Sequence, residues 1–139
     1  EYFGSSADLV ADLVLEELKN FAQYLQSAVL QSAQPVDNIH AWIESALTYI
    51  ADGRHLLAKA LNASALPQER IIAIGAAHRA LLAPLVSALT AMGIKDTQRA
   101  LVFIQAITDA STKRIESGHN AEDEIAYATT FCINGLMSN

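Results

Sequence analysis

An all-helical bundle of about six helices is the fold that this sequence predicts. Apolar residues make up 52% of the chain, and much of that fraction is Ala and Leu, which have the highest helix propensities. They recur at three- and four-residue steps, and no segment shows the period-two alternation of a half-buried strand. With 139 residues, the chain is long enough for one domain with its own core.

The first two helices are marked by capping residues and by proline. Ser5 and Asp8 form a capping pattern at the start of the first helix, and Pro35 prevents that helix from continuing. Asp37 is a suitable N-cap for the second helix. Gly53 ends this helix because glycine allows the chain to change direction.

A short helix and then a long one are expected in the middle of the chain. The short helix covers residues 54–61, after the glycine turn. The long helix lies between Pro67, suited to a first helical position, and Gly93, suited to a C-terminal stop. Pro84 lies inside it and removes a backbone donor, so we expect a kink over residues 80–84.

Two further helices complete the chain. Asp96 or Thr97 is expected to cap the first of them, which ends at Gly118. Asn120 is expected to cap the last helix, from Ala121 to about Met137, which carries three acidic residues in its first turn. The helix dipole accounts for those acidic residues without any further function.

These last two helices each have two apolar faces. In the first of them, Leu101 and Ile104 lie on a different side from Phe103 and Ile107. A helix with two apolar faces must bury both. One face can meet its own core, and we expect the other to meet a second copy in a two-fold four-helix interface. The residues assigned to this homodimer interface are Leu101, Ile104, Thr108, Tyr127, Phe131 and Asn134.

Composition excludes several classes of protein. The formal net charge is −6 and the 9 basic residues are scattered, so this segment by itself lacks the clustered Lys and Arg that nucleic-acid binding needs. Cys132 is the single cysteine, which excludes an internal disulfide framework and a cysteine-based metal motif. No uninterrupted apolar run is long enough to cross a bilayer. We therefore expect a cytoplasmic protein without a membrane partner.

The opening stretch, YFGSSADLVADLVLEEL, resembles the junction between the two domains of TetR-family transcriptional regulators. In that family, an aromatic-aromatic-Gly-Ser stretch ends the recognition helix of a helix-turn-helix domain, and a long connecting helix follows. The resemblance implies that residues 1–5 end the DNA-binding region, with Tyr2 and Ser5 near DNA. It also implies that residues 6–139 form an effector-binding and dimerisation domain. Operator DNA would be bound through helices that precede Glu1.

A ligand pocket is the second expectation that follows from this resemblance. His78 lies on an otherwise apolar stripe, where it would be one of the few polar groups that orient an apolar ligand. Trp42 and Tyr49 share one side of the second helix, although such aromatic stripes are more often core than pocket. In TetR-like effector domains these helices surround a small, largely apolar or aromatic effector. The expected lining consists of Phe21, Trp42, Ala46, Tyr49, His78, Leu82, Phe103 and Ile107.

Two other classes of function stay open at this stage. One is a helical dimer that acts purely as an interaction module, without a small-molecule ligand. The other is a small helical enzyme or metal carrier. Three carboxylate-x-x-His spacings raise this alternative: Asp37/His40, Asp52/His55 and Glu116/His119. Helix ends or glycines interrupt all three, so the inward-facing pairs of a di-metal bundle are missing. We predict no catalytic residue, no metal site and no cofactor, since no nucleophile elbow or phosphate-binding loop is present.

Overall fold

Five helices are seen in a computed structural model of the chain, which describes residues 6–29, 34–53 and 66–138. Their bounds are α1 Ser6–Val29, α2 Pro35–Ala51, α3 Gln68–Ala91, α4 Thr97–Glu116 and α5 Ala121–Met137. The predicted all-helical class is confirmed, since these ranges contain no strand. The predicted short helix over residues 54–61, the segment 1–5 and the two DNA-contact residues Tyr2 and Ser5 lie outside the described residues.

Helix ends follow the sequence signals with two exceptions, at the starts of α2 and α3. Asp96 caps α4 by accepting a hydrogen bond from the amide of Arg99 at 3.0 Å, and Asn120 caps α5 by accepting one from the amide of Asp123 at 2.9 Å. Pro67, expected as the first helical residue of α3, is instead its N-cap, since α3 begins at Gln68. Helix α2 begins at Pro35 instead of after Asp37. Proline fits the first helical position because its φ is already helical and no amide donor is needed there. Asp37 therefore lies in the first turn of α2 and is not its cap.

Helix α2 is the centre of the bundle, where it contacts α1, α3, α4 and α5. Ile39, Ile43 and Leu47 are fully buried along it, one helical turn apart. The core also takes in Leu25 from α1 and Leu85 from α3, both without exposed surface. Since each fully buried side chain of this size contributes roughly 1.5–3 kcal/mol, α2 is the element that holds the other four together.

Pro84 is accommodated within a continuous helix, since α3 runs from Gln68 to Ala91 through it. One turn before it, the carbonyl of Leu81 accepts a hydrogen bond from the indole Nε1 of Trp42 at 2.9 Å. A proline weakens the backbone hydrogen bonding of the preceding turn. The buried Trp42 indole thus joins α2 to α3 in the turn that precedes Pro84.

The exposed half of α3 is unusually apolar for a surface. Ile71 and Ile72 are 42% and 59% exposed, and an 18-residue window within Gln68–Ala91 reaches a mean hydropathy of 1.6. By length and composition this helix alone, among the described residues, meets the criterion for crossing a membrane, as core helices of soluble proteins also do. Arg79 divides this segment, which is why the sequence shows no uninterrupted apolar run long enough to cross a bilayer.

The turn between α4 and α5 is closed by a two-pronged ion pair. Arg114 donates from Nε to Oε1 of Glu124 at 2.7 Å and from Nη2 to Oε2 at 3.1 Å. These hydrogen bonds, and to a smaller extent the positive charge of Arg114, hold the pKa of Glu124 below its ordinary value of 4.5. The pair fixes the start of α5 against the end of α4, and so sets how the two helices lie side by side.

We expect Glu124→Gln to lower stability at neutral pH and to lose this effect in acid. The pKa of Glu124 is depressed in the folded state, so its contribution is complete above pH 4.5 and disappears as the pH falls through the lowered value. Thermal unfolding from pH 7 to pH 2 measures the difference between the variant and the wild type. Glu122→Gln is the matched control, because it removes a carboxylate from the same helical turn. Equal pH profiles for the two variants would show that the Arg114 pair contributes nothing.

Candidate functional site

The expected ligand pocket is filled with its own side chains around α2. Trp42, Ala46 and Tyr49 are at most 5% exposed. The ring of Phe21 stacks on that of Tyr49 with centroids 3.9 Å apart and planes 5° apart. Leu82 packs against the same core cluster. These five residues are expected around a ligand, whereas in the structure they join α1, α2 and α3.

His78 takes no part in this interior, because its side chain is exposed on α3. The apolar stripe on which the prediction depended begins to be buried only at Leu81. The first half of α3, where Ile71 and His78 lie, has its residues exposed or half-buried. His78 is therefore a surface histidine in this structure, and its part in ligand binding stays a prediction.

The face of α4 assigned to the dimer interface is turned toward the interior of the subunit. Leu101, Ile104 and Thr108 are 8%, 2% and 8% exposed, so they lie inside the subunit and are not available to a second copy. They pack with Ala128 and Cys132 of α5 in the core cluster or beside it. The helical period separates two apolar sides of α4, and it is the side with Leu101 that faces α2.

An aromatic face instead lies on the outside of α4 and α5, made of Phe103, Tyr127 and Phe131. These side chains are 61%, 70% and 57% exposed. The rings of Tyr127 and Phe131 lie near each other, with centroids 6.1 Å apart. Val102 and Met137 on the same two helices are also more than half exposed. Scattered single apolar residues are normal on a surface, whereas Tyr127 and Phe131 lie close enough to form one exposed aromatic surface.

A cleft of about 650 Å³ opens beside this aromatic face. Its walls come from the turn between α3 and α4, the first half of α4 and the last two turns of α5. Phe103, Ile107 and Phe131 belong to the lining, with Cys132 and Leu136 deeper in. This volume falls within the roughly 300–1,000 Å³ of small-molecule sites. Two residues of the expected pocket, Phe103 and Ile107, thus line a cleft that is separate from the filled core.

The polar groups of the cleft are gathered on one side. Lys95, Asp96 and Arg99 all line it near the start of α4. Both carboxylate oxygens of Asp96 are engaged, since Oδ1 accepts from the amide of Arg99 and Oδ2 lies 3.6 Å from the Arg99 Nε. Two cations and one occupied carboxylate leave this side of the cleft with a net positive charge.

Cys132 lies at the bottom of the cleft with only 3% of its surface exposed. Burial raises the pKa of its thiol from 9.0 to about 11. The thiolate is the reactive form of cysteine, so at neutral pH Cys132 acts as a small apolar side chain. Nor does any group of three His, Cys, Asp or Glu side chains within the described ranges come together to hold a metal ion.

Sequence reasoning missed the turn residues and the end of α5 that complete the cleft. Met92 directly precedes the glycine stop Gly93 that the sequence did identify, and Ile94 and Lys95 follow it. Gly135 is helical, and an added Cβ there would have no other atom within 4 Å. A glycine inside a helix is the signal of open space that was available in the sequence.

This chain matches no model of a protein family, no curated protein and no solved structure.

Proposed function

We propose that this chain is the effector-binding and dimerisation domain of a ligand-responsive transcriptional repressor of the TetR type. The observation that carries the proposal is the exposed aromatic face of Phe103, Tyr127 and Phe131 on the last two helices. The resemblance of the opening stretch to the TetR junction supports it independently. Such a protein acts on DNA in the cytoplasm and needs no catalytic group.

Dimerisation would bury the aromatic face against the same face of a second copy. Each subunit would contribute α4 and α5, which gives a two-fold bundle of four helices. Asn134 is exposed on α5 one turn after Phe131 and would join the contact, whereas Leu101, Ile104 and Thr108 support it from inside. Aromatic residues are enriched at the centres of protein interfaces, where they bury large areas.

Helix α3 offers a route from the cleft to the segment that would precede α1. The turn after α3, from Met92 to Asp96, lines the cleft. At its other end, the Arg70 guanidinium hydrogen-bonds to Asp12 and lies 3.9 Å from Asp8, both near the start of α1. With a rise of about 1.5 Å per residue, the helix is roughly 36 Å long.

Ligand binding would act through the relative stability of two arrangements of α1. In the proposed repressor, α1 is joined to the helix-turn-helix DNA-binding domain. The tilt of α1 therefore sets the distance between the two DNA-binding domains of the dimer. A ligand shifts this equilibrium only by its difference in affinity for the two arrangements. The ion pairs of Arg70 are exposed or half-buried and individually weak, which suits a contact that must be remade when α1 moves.

Sequencing the gene upstream of the codon for Glu1 tests the proposed class. We expect roughly fifty residues of basic, three-helix sequence with a helix-turn-helix pattern. An initiator methionine directly before Glu1 would contradict the proposal. With the upstream residues included, the protein should bind operator DNA as a dimer and with a steep dependence on salt.

A dimeric interaction module without a small-molecule ligand is the second candidate. The filled interior around Trp42 and Tyr49 favours it, because the region expected to hold a ligand is core. This candidate shares the dimer but needs no function for the cleft. Ligand binding in the cleft therefore separates the two.

A further inference from the structure

We propose that the cleft beside the aromatic face binds an amphipathic anion, a molecule with an apolar chain or ring and a single carboxylate head. The assignment of this cleft as the effector site of the regulator rests on the proposed function. Binding itself can be measured without it. The argument depends on three properties of the cleft: its apolar depth, its cationic side and its open space at Gly135.

The depth of the cleft selects an apolar group. Ile104, Ile107 and Leu136 form its inner wall, and Cys132 contributes an uncharged thiol. Contact with these groups removes apolar surface from water on both partners. A fully charged ligand such as a nucleotide would leave its polar atoms without partners there, which is costly.

The side of the cleft near α4 selects a negative head group. Lys95 and Arg99 line it together with Asp96, which accepts from the amide of Arg99 and lies 3.6 Å from the Arg99 Nε, so one net positive charge remains. The chain as a whole carries a net charge of −6. The two cations next to the apolar cleft are therefore opposite in sign to the charge of the whole chain. A carboxylate can accept two parallel hydrogen bonds from an arginine guanidinium.

Gly135 leaves space in the cleft into which the apolar part of the ligand extends. Glycine is a poor helix former, yet it lies inside α5 where alanine would be better by up to about 1 kcal/mol. An added Cβ would meet no other atom within 4 Å, so packing within the subunit does not require glycine at this position. Any larger side chain would occupy the cleft.

Titration calorimetry with decanoate, held below its micelle concentration, tests the proposal on the 139-residue chain. We expect decanoate to bind the wild type more tightly than 1-decanol does. The double variant Lys95→Gln/Arg99→Gln should weaken decanoate at least tenfold and change decanol less than twofold. The control Lys19→Gln/Arg79→Gln removes two exposed cations away from the cleft and should change neither ligand.

Gly135→Leu tests the location, because leucine should fill the cleft and weaken both ligands at least tenfold while the helix remains intact by circular dichroism. Unchanged decanoate binding in Gly135→Leu or in Lys95→Gln/Arg99→Gln would overturn the proposal. So would an equal affinity of the wild type for decanoate and decanol, or no binding of decanoate. Sedimentation of the same samples keeps the two proposals distinct: a dimer that does not bind decanoate rejects only this one.

Discussion

Phe131→Glu is expected to convert the dimer into monomers without unfolding the subunit. Phe131 is 57% exposed within one chain, so the charge is tolerated in the monomer. In the proposed two-fold interface, the change occurs twice, and each copy loses about 2 kcal/mol of apolar burial. About 4 kcal/mol corresponds to a roughly thousandfold weaker dimer. Sedimentation velocity at micromolar concentration measures the change in mass.

Ile72→Glu is the matched control for this experiment. Ile72 is 59% exposed on α3, so the substitution puts the same charge at an equally exposed apolar position on another helix. We expect its mass to equal that of the wild type. If Phe131→Glu remains a dimer, or if Ile72→Glu is the variant that dissociates, the interface lies on another face.

Trp42→Ala is expected to destabilise the protein by about 4 kcal/mol in the absence of any ligand. Truncating a buried Trp leaves a cavity and typically costs about 3–5 kcal/mol. The carbonyl of Leu81 also loses the indole donor at 2.9 Å, in the turn before Pro84. Urea denaturation at one fixed protein concentration measures the difference in free energy of unfolding.

His78→Ala provides the contrast, because His78 was placed in the same expected pocket but is exposed. We expect its effect to stay within about 0.5 kcal/mol, as for other surface substitutions. If Trp42 lined an empty ligand cavity, its truncation would be nearly as mild as that of His78. A mild effect of Trp42→Ala would therefore restore the pocket around α2.

The sequence was most informative about where helices end. Gly53, Gly93 and Gly118 have φ values of 79°, 85° and 102°, which only glycine adopts without strain. Asn120 and Asp96 accept the capping hydrogen bonds that their positions predict. These signals are local, since each depends on one residue and its immediate neighbours. The start of α2 was missed because Pro35 and Asp37 are both good helix-start residues, and local rules do not rank them.

The candidate site was harder to predict because it depends on which of two apolar sides faces the core. On α4, the helical period separates Leu101 from Phe103 but does not say which is inside. Packing decides this, because α2 and α5 cover the side with Leu101. Periodicity also cannot distinguish a filled interior from a cavity. The stacked pair of Phe21 and Tyr49 fills the space in which a ligand was expected.

The mass of the wild-type chain in solution tests the central claim most directly, namely that the aromatic face pairs with a second copy. One chain has a mass of 14.9 kDa. Sedimentation equilibrium over a range of micromolar concentrations should give twice 14.9 kDa, or 29.8 kDa. A mass of 14.9 kDa at every concentration, with Tyr127 and Phe131 in contact with water, would contradict the account.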